Sequence, residues 1–267
     1  MSGRQATATV RPRLLVAYAA VVFAFIYVPI AVLVVYSFNR DGVGGFPPRH
    51  FTLDWYRQLF FADRAIWDSV VNSLLVAAGA VGLSLFLGLL AALALDRAEF
   101  PGKALFRRLV LLPLILPGII TGLSMLLFAV FVGAGRSLTL VFLGHGTALI
   151  SVATTEIFAG LQKLDRRQEE ASLDLGATPW RTFWLVTLPN LRLSLIAAGL
   201  LIFTLSMDEI AVTFFLIGSD NTLPLEIWGR LRRGITPEIN AISTLILAAS
   251  VVLLIVWYHL RTRSERR

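Results

Sequence analysis

The chain has 267 residues, 57% hydrophobic and only 15% charged, a balance that excludes an ordinary soluble domain and a length that admits several membrane spans. It has no cysteine, which excludes disulfides, thiolate metal sites and cysteine nucleophiles. The formal net charge is +7, but the basic residues sit in short loops between apolar segments, a pattern of orientation in a membrane rather than of nucleic-acid binding.

Six apolar segments read as transmembrane helices, at 14–36, 69–95, 108–132, 139–161, 192–217 and 239–260. The first follows Arg11 and Arg13, as a signal peptide would. Its apolar run is too long for a signal core and no small-residue cleavage site follows, so it reads as a retained anchor. The loop at 38–68 interleaves Phe51, Trp55, Tyr56, Leu59, Phe60 and Trp67 with Arg57, Asp63 and Arg64. An amphipathic helix at the outer interface and a docking surface for an external protein are the two readings. Pro224 to Pro237, with Trp228 and Arg230 to Arg233, forms a second such segment.

Several spans carry residues that need explaining. Pro113 and Pro117 predict a loosened or kinked third span. His145 and Glu156 in the fourth fall within about 20° on one helix face but about 16 Å apart in height, so they cannot pair. They face a helix bundle or contribute to a path. Asp208 and Glu209 lie in the outer half of the fifth span, about 24 Å along the helix from Arg192. They read as an acidic site on a cation path, or as a cap for a broken helix or a partner for another subunit's arginine.

Between the fourth and fifth spans lies a polar, helix-prone insert at 163–190. Asp165 predicts a cap for a first short helix, with Gln168 completing a capping box. Gly176 predicts a left-handed end. Thr178 then predicts a second cap, with Pro179 at the first helical position and Pro189 as the stop. A membrane protein that builds a helical elbow outside the bilayer presents it to a partner.

Loop charges give the orientation. With the N-terminus inside, sixteen Lys and Arg residues fall in inner segments and eight in outer loops. This predicts cytoplasmic termini and a cytoplasmic elbow. The organisation is then an N-terminal segment 1–13, a six-span domain 14–260 with the loop 163–190, and a basic cytoplasmic tail 261–267.

No motif here hydrolyses ATP. The only Gly-Lys pair, Gly102-Lys103, is followed by Ala104 and lacks the glycine that a phosphate loop needs. His50, His145 and His259 lack metal-ligand spacing, and no nucleophile elbow appears. The chain therefore reads as a non-enzyme without cofactor or metal, whose uphill work requires a separate ATPase.

Glu170-Ala171-Ser172, Gly176-Ala177 and Pro189 resemble the E-A-A…G…P loop of permease subunits of binding-protein-dependent ABC importers, with Ser172 where the family has a second alanine. The resemblance implies an all-α, methionine-importer-like permease fold with six transmembrane helices and cytoplasmic coupling helices. It also implies partners: a homologous permease in a heterodimer, two copies of a cytosolic ATPase that binds the ATP, an external solute-binding protein and the bilayer of a bacterial inner membrane.

Further matches are Ser37-Phe38-Asn39, Trp55-Tyr56, Asn72-Ser73-Leu74, Leu112-Pro113…Pro117, Met207-Asp208-Glu209, Thr222-Leu223-Pro224 and the run Arg232 to Ala241. Together they are similar to the second permease of spermidine/putrescine-type importers, which implies a polyamine or related amine as solute and alternating access as mechanism. That branch also serves amino-acid-like compounds, opines and phosphonates, and Glu156 departs from its usual apolar residue. The competing classes are an ATP-independent secondary transporter, against which the elbow argues, and an intramembrane enzyme, against which the missing catalytic cluster argues.

Overall fold

The computed structural model describes residues 12–41, 47–234 and 236–264, so the segment before Pro12 and the last three residues of the basic tail lie outside it. Among the described residues the regular secondary structure is helical, apart from an isolated antiparallel bridge between Asn39 and Phe51. The helices are α1 (Pro12–Tyr36), α2 (Asp54–Phe61), α3 (Arg64–Arg97), α4 (Lys103–Leu111), α5 (Gly118–Phe131), α6 (Leu138–Ala148) and α7 (Ile150–Lys163). They continue as α8 (Arg167–Asp174), α9 (Pro179–Thr182), α10 (Leu188–Asp208), α11 (Ala211–Leu216), α12 (Leu223–Arg233) and α13 (Pro237–Ser264).

Among the described residues, four stretches are helical, long and apolar enough to cross a membrane: Leu14–Tyr36, Arg64–Arg97, Leu138–Lys163 and Pro179–Asp208. A bent pair, Lys103–Leu114 with Gly118–Phe131, makes a fifth if taken as one span. The stretch expected as the sixth falls on α13.

Three expected spans differ from straight helices. In the third, Pro113 sits in a 3₁₀ turn at Leu112–Leu114 and Pro117 precedes the first residue of α5. Two prolines so close remove two backbone donors and disfavour helical dihedrals before each. The segment therefore turns by 106° rather than kinking. In the fourth, the helix is distorted at Leu149 (φ −91°, ψ 2°) between α6 and α7 but continues through it, the Leu149 N–H bonding the His145 carbonyl and the Ala153 N–H the Leu149 carbonyl. The fifth breaks at Glu209, whose ψ of 114° is extended.

Pro189 does not stop a helix. Its ring clashes with a carbonyl one turn back, and it has no N–H to give. The chain absorbs this in a π turn at Phe183–Thr187, where the Leu188 N–H reaches back to the Phe183 carbonyl. Helix then runs without interruption from Pro179 to Asp208.

The chain divides into two compact units, Ala65–Trp228 and the described residues of Met1–Arg64 with Gly229–Arg267. In the first, Ala92, Ile157, Leu161, Leu191 and Ile202 form a core among α3, α7 and α10. Val76, Val141, Val212 and Leu216 form another among α3, α6 and α11. Small residues let these backbones approach, as membrane helices require. Ser84 Oγ donates to the Gly146 carbonyl at 2.7 Å. At Gly88, an added Cβ would lie 2.4 Å from Ala153 Cβ and 3.0 Å from the Thr154 nitrogen. Gly88→Val must therefore separate α3 from α7. Overpacking of this kind costs about 1–3 kcal/mol, so the variant's detergent-solubilised melting temperature should fall, whereas an unchanged melt would contradict the packing.

In the second unit, α1 is exposed almost all round, with Phe25 at 81%, as a lipid-facing helix should be. The aromatic loop folds onto its end. Tyr56 hydroxyl pairs with Ser37 Oγ at 2.6 Å, and Trp55 Nε1 donates to the Asn39 carbonyl at 2.9 Å. Leu59 of α2 is buried, while Phe60, Phe61 and, before the helix, Phe51 remain exposed. Arg230 forks onto Asp63 at 2.5 and 3.0 Å.

Candidate functional site

The insert at 163–190 folds as two short helices joined by a tight turn, and local chemistry explains each end. Asp165 Oδ1 accepts from the Arg167 N–H at 3.0 Å, starting α8. The expected capping box does not close, because the Gln168 side chain accepts from Asn190 instead, at 3.1 Å. Gly176 takes φ +86°. Around it the Gly176 N–H bonds the Leu173 carbonyl and the Ala177 N–H the Ser172 carbonyl, at 2.9 and 3.1 Å, which satisfies two orphan carbonyls of α8. Thr178 Oγ1 then accepts from the Arg181 N–H at 3.3 Å, with Pro179 opening α9. Ser172 and Thr182 hydroxyls meet at 3.0 Å and pin the two helices together.

One face of this elbow is open. Glu170 and Ala171 are exposed, Ala177 is half-buried, and Glu170 has no ion pair among the described residues. Leu175 is 90% exposed and Trp180 68%.

The opposite face is tied to the transmembrane core by a network that the sequence reading missed. Glu169 is buried. Its carboxylate is gripped by the Arg97 guanidinium, Nη2 donating to Oε1 at 2.8 Å and Nη1 paired with Oε2, and it also accepts from the Thr187 hydroxyl. Arg97 Nε reaches Asp96 at 2.9 Å. Asp96 in turn accepts from Gln162 Nε2 at 2.6 Å and from Arg166 at 3.2 Å. The ends of α3, α7, α8 and α10 are thus held by one chain of charge-assisted bonds. A sequence signal existed. Glu169 and Glu170 are neighbours on a helix, about 100° apart, so they cannot both face the core.

At the other end of α10, Asp208 and Glu209 part company. Glu209 caps α11, its Oε1 accepting from the Val212 N–H at 2.9 Å. The start of α5 approaches the same carboxylate, since a Cβ on Gly118 would lie 3.4 Å from Oε1. Asp208 is exposed.

His145, buried to 2%, clamps this break. Its Nδ1 meets Ser206 Oγ at 2.8 Å on α10 and its Nε2 meets Thr213 Oγ1 at 2.9 Å on α11. Thr213 gives its one hydroxyl proton to the Glu209 carbonyl at 3.0 Å. Nε2–H is therefore the donor to Thr213, and Nδ1 of the neutral ring accepts from Ser206. Nothing in the sequence marks these partners, which are 61 and 68 positions away. Glu156 is half-buried and makes no hydrogen bond or ion pair among the described residues. No group of three or more His, Cys, Asp or Glu able to hold a metal occurs among the described residues.

Long apolar helices, with a capped polar elbow between two of them, define an integral membrane protein. The chain belongs to the binding-protein-dependent transport system inner membrane components, the permease subunits of ABC importers, through a match spanning residues 84–267. It is 38% identical over 258 residues to the putrescine transport system permease protein PotI of Escherichia coli K12, covering 92% of this chain and 89% of that one. It is 33% identical over 241 residues to the spermidine/putrescine transport system permease protein PotC of Haemophilus influenzae, covering 90% and 93%. Among solved structures, a bacterial ABC transporter that imports the acidic polysaccharide alginate superposes with a TM-score of 0.71 at 15% identity, over 98% of this chain and 99% of that one. That likeness concerns the fold.

Proposed function

We propose that this permease subunit forms half of a translocation path for a polyamine or a related small amine and couples it to ATP hydrolysed by a separate cytosolic ATPase. The observation that carries the solute class is the identity with putrescine and spermidine/putrescine permeases over nine-tenths of the chain. The exposed Asp208 carboxylate, at a helix break, supplies a group with the right sign for a cation.

In this reading the bent α4–α5 pair and α13 complete six spans. The assembly holds a homologous permease, two ATPase copies and an external solute-binding protein. ATP is bound by the partner and none by this chain. Glu170, Ala171, Ser172, Gly176 and Ala177 form the surface or the turn that meets the ATPase, and Pro189 enters through the π turn. Alternating access follows if closure of the ATPases displaces the elbow.

Asp208→Asn tests the solute. It removes the charge and keeps the shape, so amine uptake should fall about tenfold or more, the scale of one lost charge-assisted contact. Subunit abundance and basal hydrolysis should hold. Glu209→Gln keeps an oxygen for Val212 and should assemble normally, whereas Glu209→Ala loses the cap, at about 1 kcal/mol. Wild-type uptake in both Asp208→Asn and Glu209→Gln would end the cation-path reading.

Orientation has its own test in this cysteine-free chain. Ser172→Cys should resist an impermeant thiol reagent in intact cells while Ser219→Cys reacts. Labelling at 172 from outside would reverse the topology and remove the coupling role with it.

A further inference from the structure

Helix α4 carries two faces. Leu105 and Leu109 are exposed at 60% and 56%, an apolar stripe that belongs in lipid. Lys103, Ala104, Arg107 and Arg108 lie on the other side, at the spacing that shares a helix face. They line a cleft of about 430 Å³ whose remaining walls are Leu95 of α3 and Phe158 of α7. The 106° bend before α5 sets α4 across the direction of that helix. An amphipathic helix lying across a span rests at the depth of the headgroups.

The charges in the cleft are not balanced from within. Lys103 pairs with Glu99 at 2.8 Å. Arg107 stacks its guanidinium over Phe158, 5.5 Å from the ring centroid. Arg107 and Arg108 make no ion pair with a carboxylate among the described residues. Two exposed guanidiniums at headgroup depth attract an anion, and forked donors suit phosphate oxygens. Leu95, Ala104 and Phe158 supply apolar walls beside them, as a glycerol backbone and the start of an acyl chain require.

We infer that the α4 cleft is a binding site for the phosphate headgroup of an anionic phospholipid, held by Arg107 and Arg108. Basic pockets between membrane helices recognise such headgroups. The site is separate from the amine path, and only its assignment to the cytoplasmic leaflet rests on the proposed orientation.

Native mass spectrometry of the full chain, purified in detergent and titrated with dioleoylphosphatidylglycerol or dioleoylphosphatidylcholine, tests this. The anionic lipid should bind once, with a preference of about thirtyfold, the product of two cations each contributing about fivefold. Arg107→Gln with Arg108→Gln should bring the two lipids to parity, and Arg107→Lys with Arg108→Lys should keep most of the preference. Millimolar inorganic phosphate should leave the bound lipid in place.

No preference in the wild-type chain overturns the site, and that arm stands even if the glutamine variant fails to fold. So does a preference that survives the glutamine pair. Displacement by inorganic phosphate would make it a free-anion site instead. A photocrosslinker at position 108 that captures an acidic protein segment and no lipid in native membranes would assign the cleft to a subunit partner and end the proposal.

Discussion

Glu169→Arg will sharply reduce solute-stimulated ATP hydrolysis by the assembled importer, and adding Arg97→Glu will restore part of it. The single change places two guanidiniums against each other where Arg97 now grips a buried carboxylate that also takes the Thr187 hydroxyl. Breaking a buried pair costs about 3–5 kcal/mol. The Arg97 side chain keeps 31% exposure, so solvent screening discounts this to about 2 kcal/mol, still more than a tenfold change in an equilibrium. The swapped pair recovers the attraction, and Thr187 can accept from an arginine as readily as it donates to a glutamate. Recovery stays partial because Glu at 97 adjoins Asp96. Wild-type stimulated hydrolysis in Glu169→Arg would show that the clamp does not set the elbow. Equal loss in the single and double variants would show that the two residues do not act as a pair.

The second large effect is expected at Gly176. A Cβ there meets nothing within 4 Å, yet φ is +86°. The penalty for Gly176→Val is therefore backbone strain alone, about 1–2 kcal/mol for an L-residue and more for a β-branched one. Strain confined to an exposed turn should leave membrane insertion intact. It should shift the α8–α9 angle and lower ATPase association or stimulated hydrolysis about tenfold. Gly176→Asn, which tolerates the left-handed region, should retain much more of both. Full association together with full stimulation in Gly176→Val would remove the elbow from the coupling scheme.

The elbow was legible because its determinants are local. Asp165, Gly176, Thr178 and Pro179 each act on backbone groups within five residues. Pro189 does not act as the expected stop, because a proline ends a helix only if the preceding turn cannot widen, and Phe183–Thr187 widens. The break at Glu209 was one of two readings open to the carboxylates there, whereas the distortion at Leu149 was hidden because apolar residues continue on both sides and hydropathy averages over them. The local prolines announced the third break but not its angle, which depends on what α4 packs against. His145 with Ser206 and Thr213, and Arg97 with Glu169, lay beyond reach because their partners are 61 to 72 positions away. A single sequence carries periodicity, not such pairings.

The widened turn before Pro189 has a mechanical consequence. Because helix persists from Pro179 to Asp208, thirty residues form one lever about 45 Å long at 1.5 Å per residue. Trp180 stands near one tip and Asp208 at the other. A tilt of about 5° about either end sweeps the far tip through about 4 Å, roughly three-quarters of a helical turn. Had the proline severed the segment, the two tips would move independently. The π turn is the one soft joint in the lever, and its stiffness decides how much of a push at Trp180 arrives at Asp208 as displacement and how much is absorbed as bending.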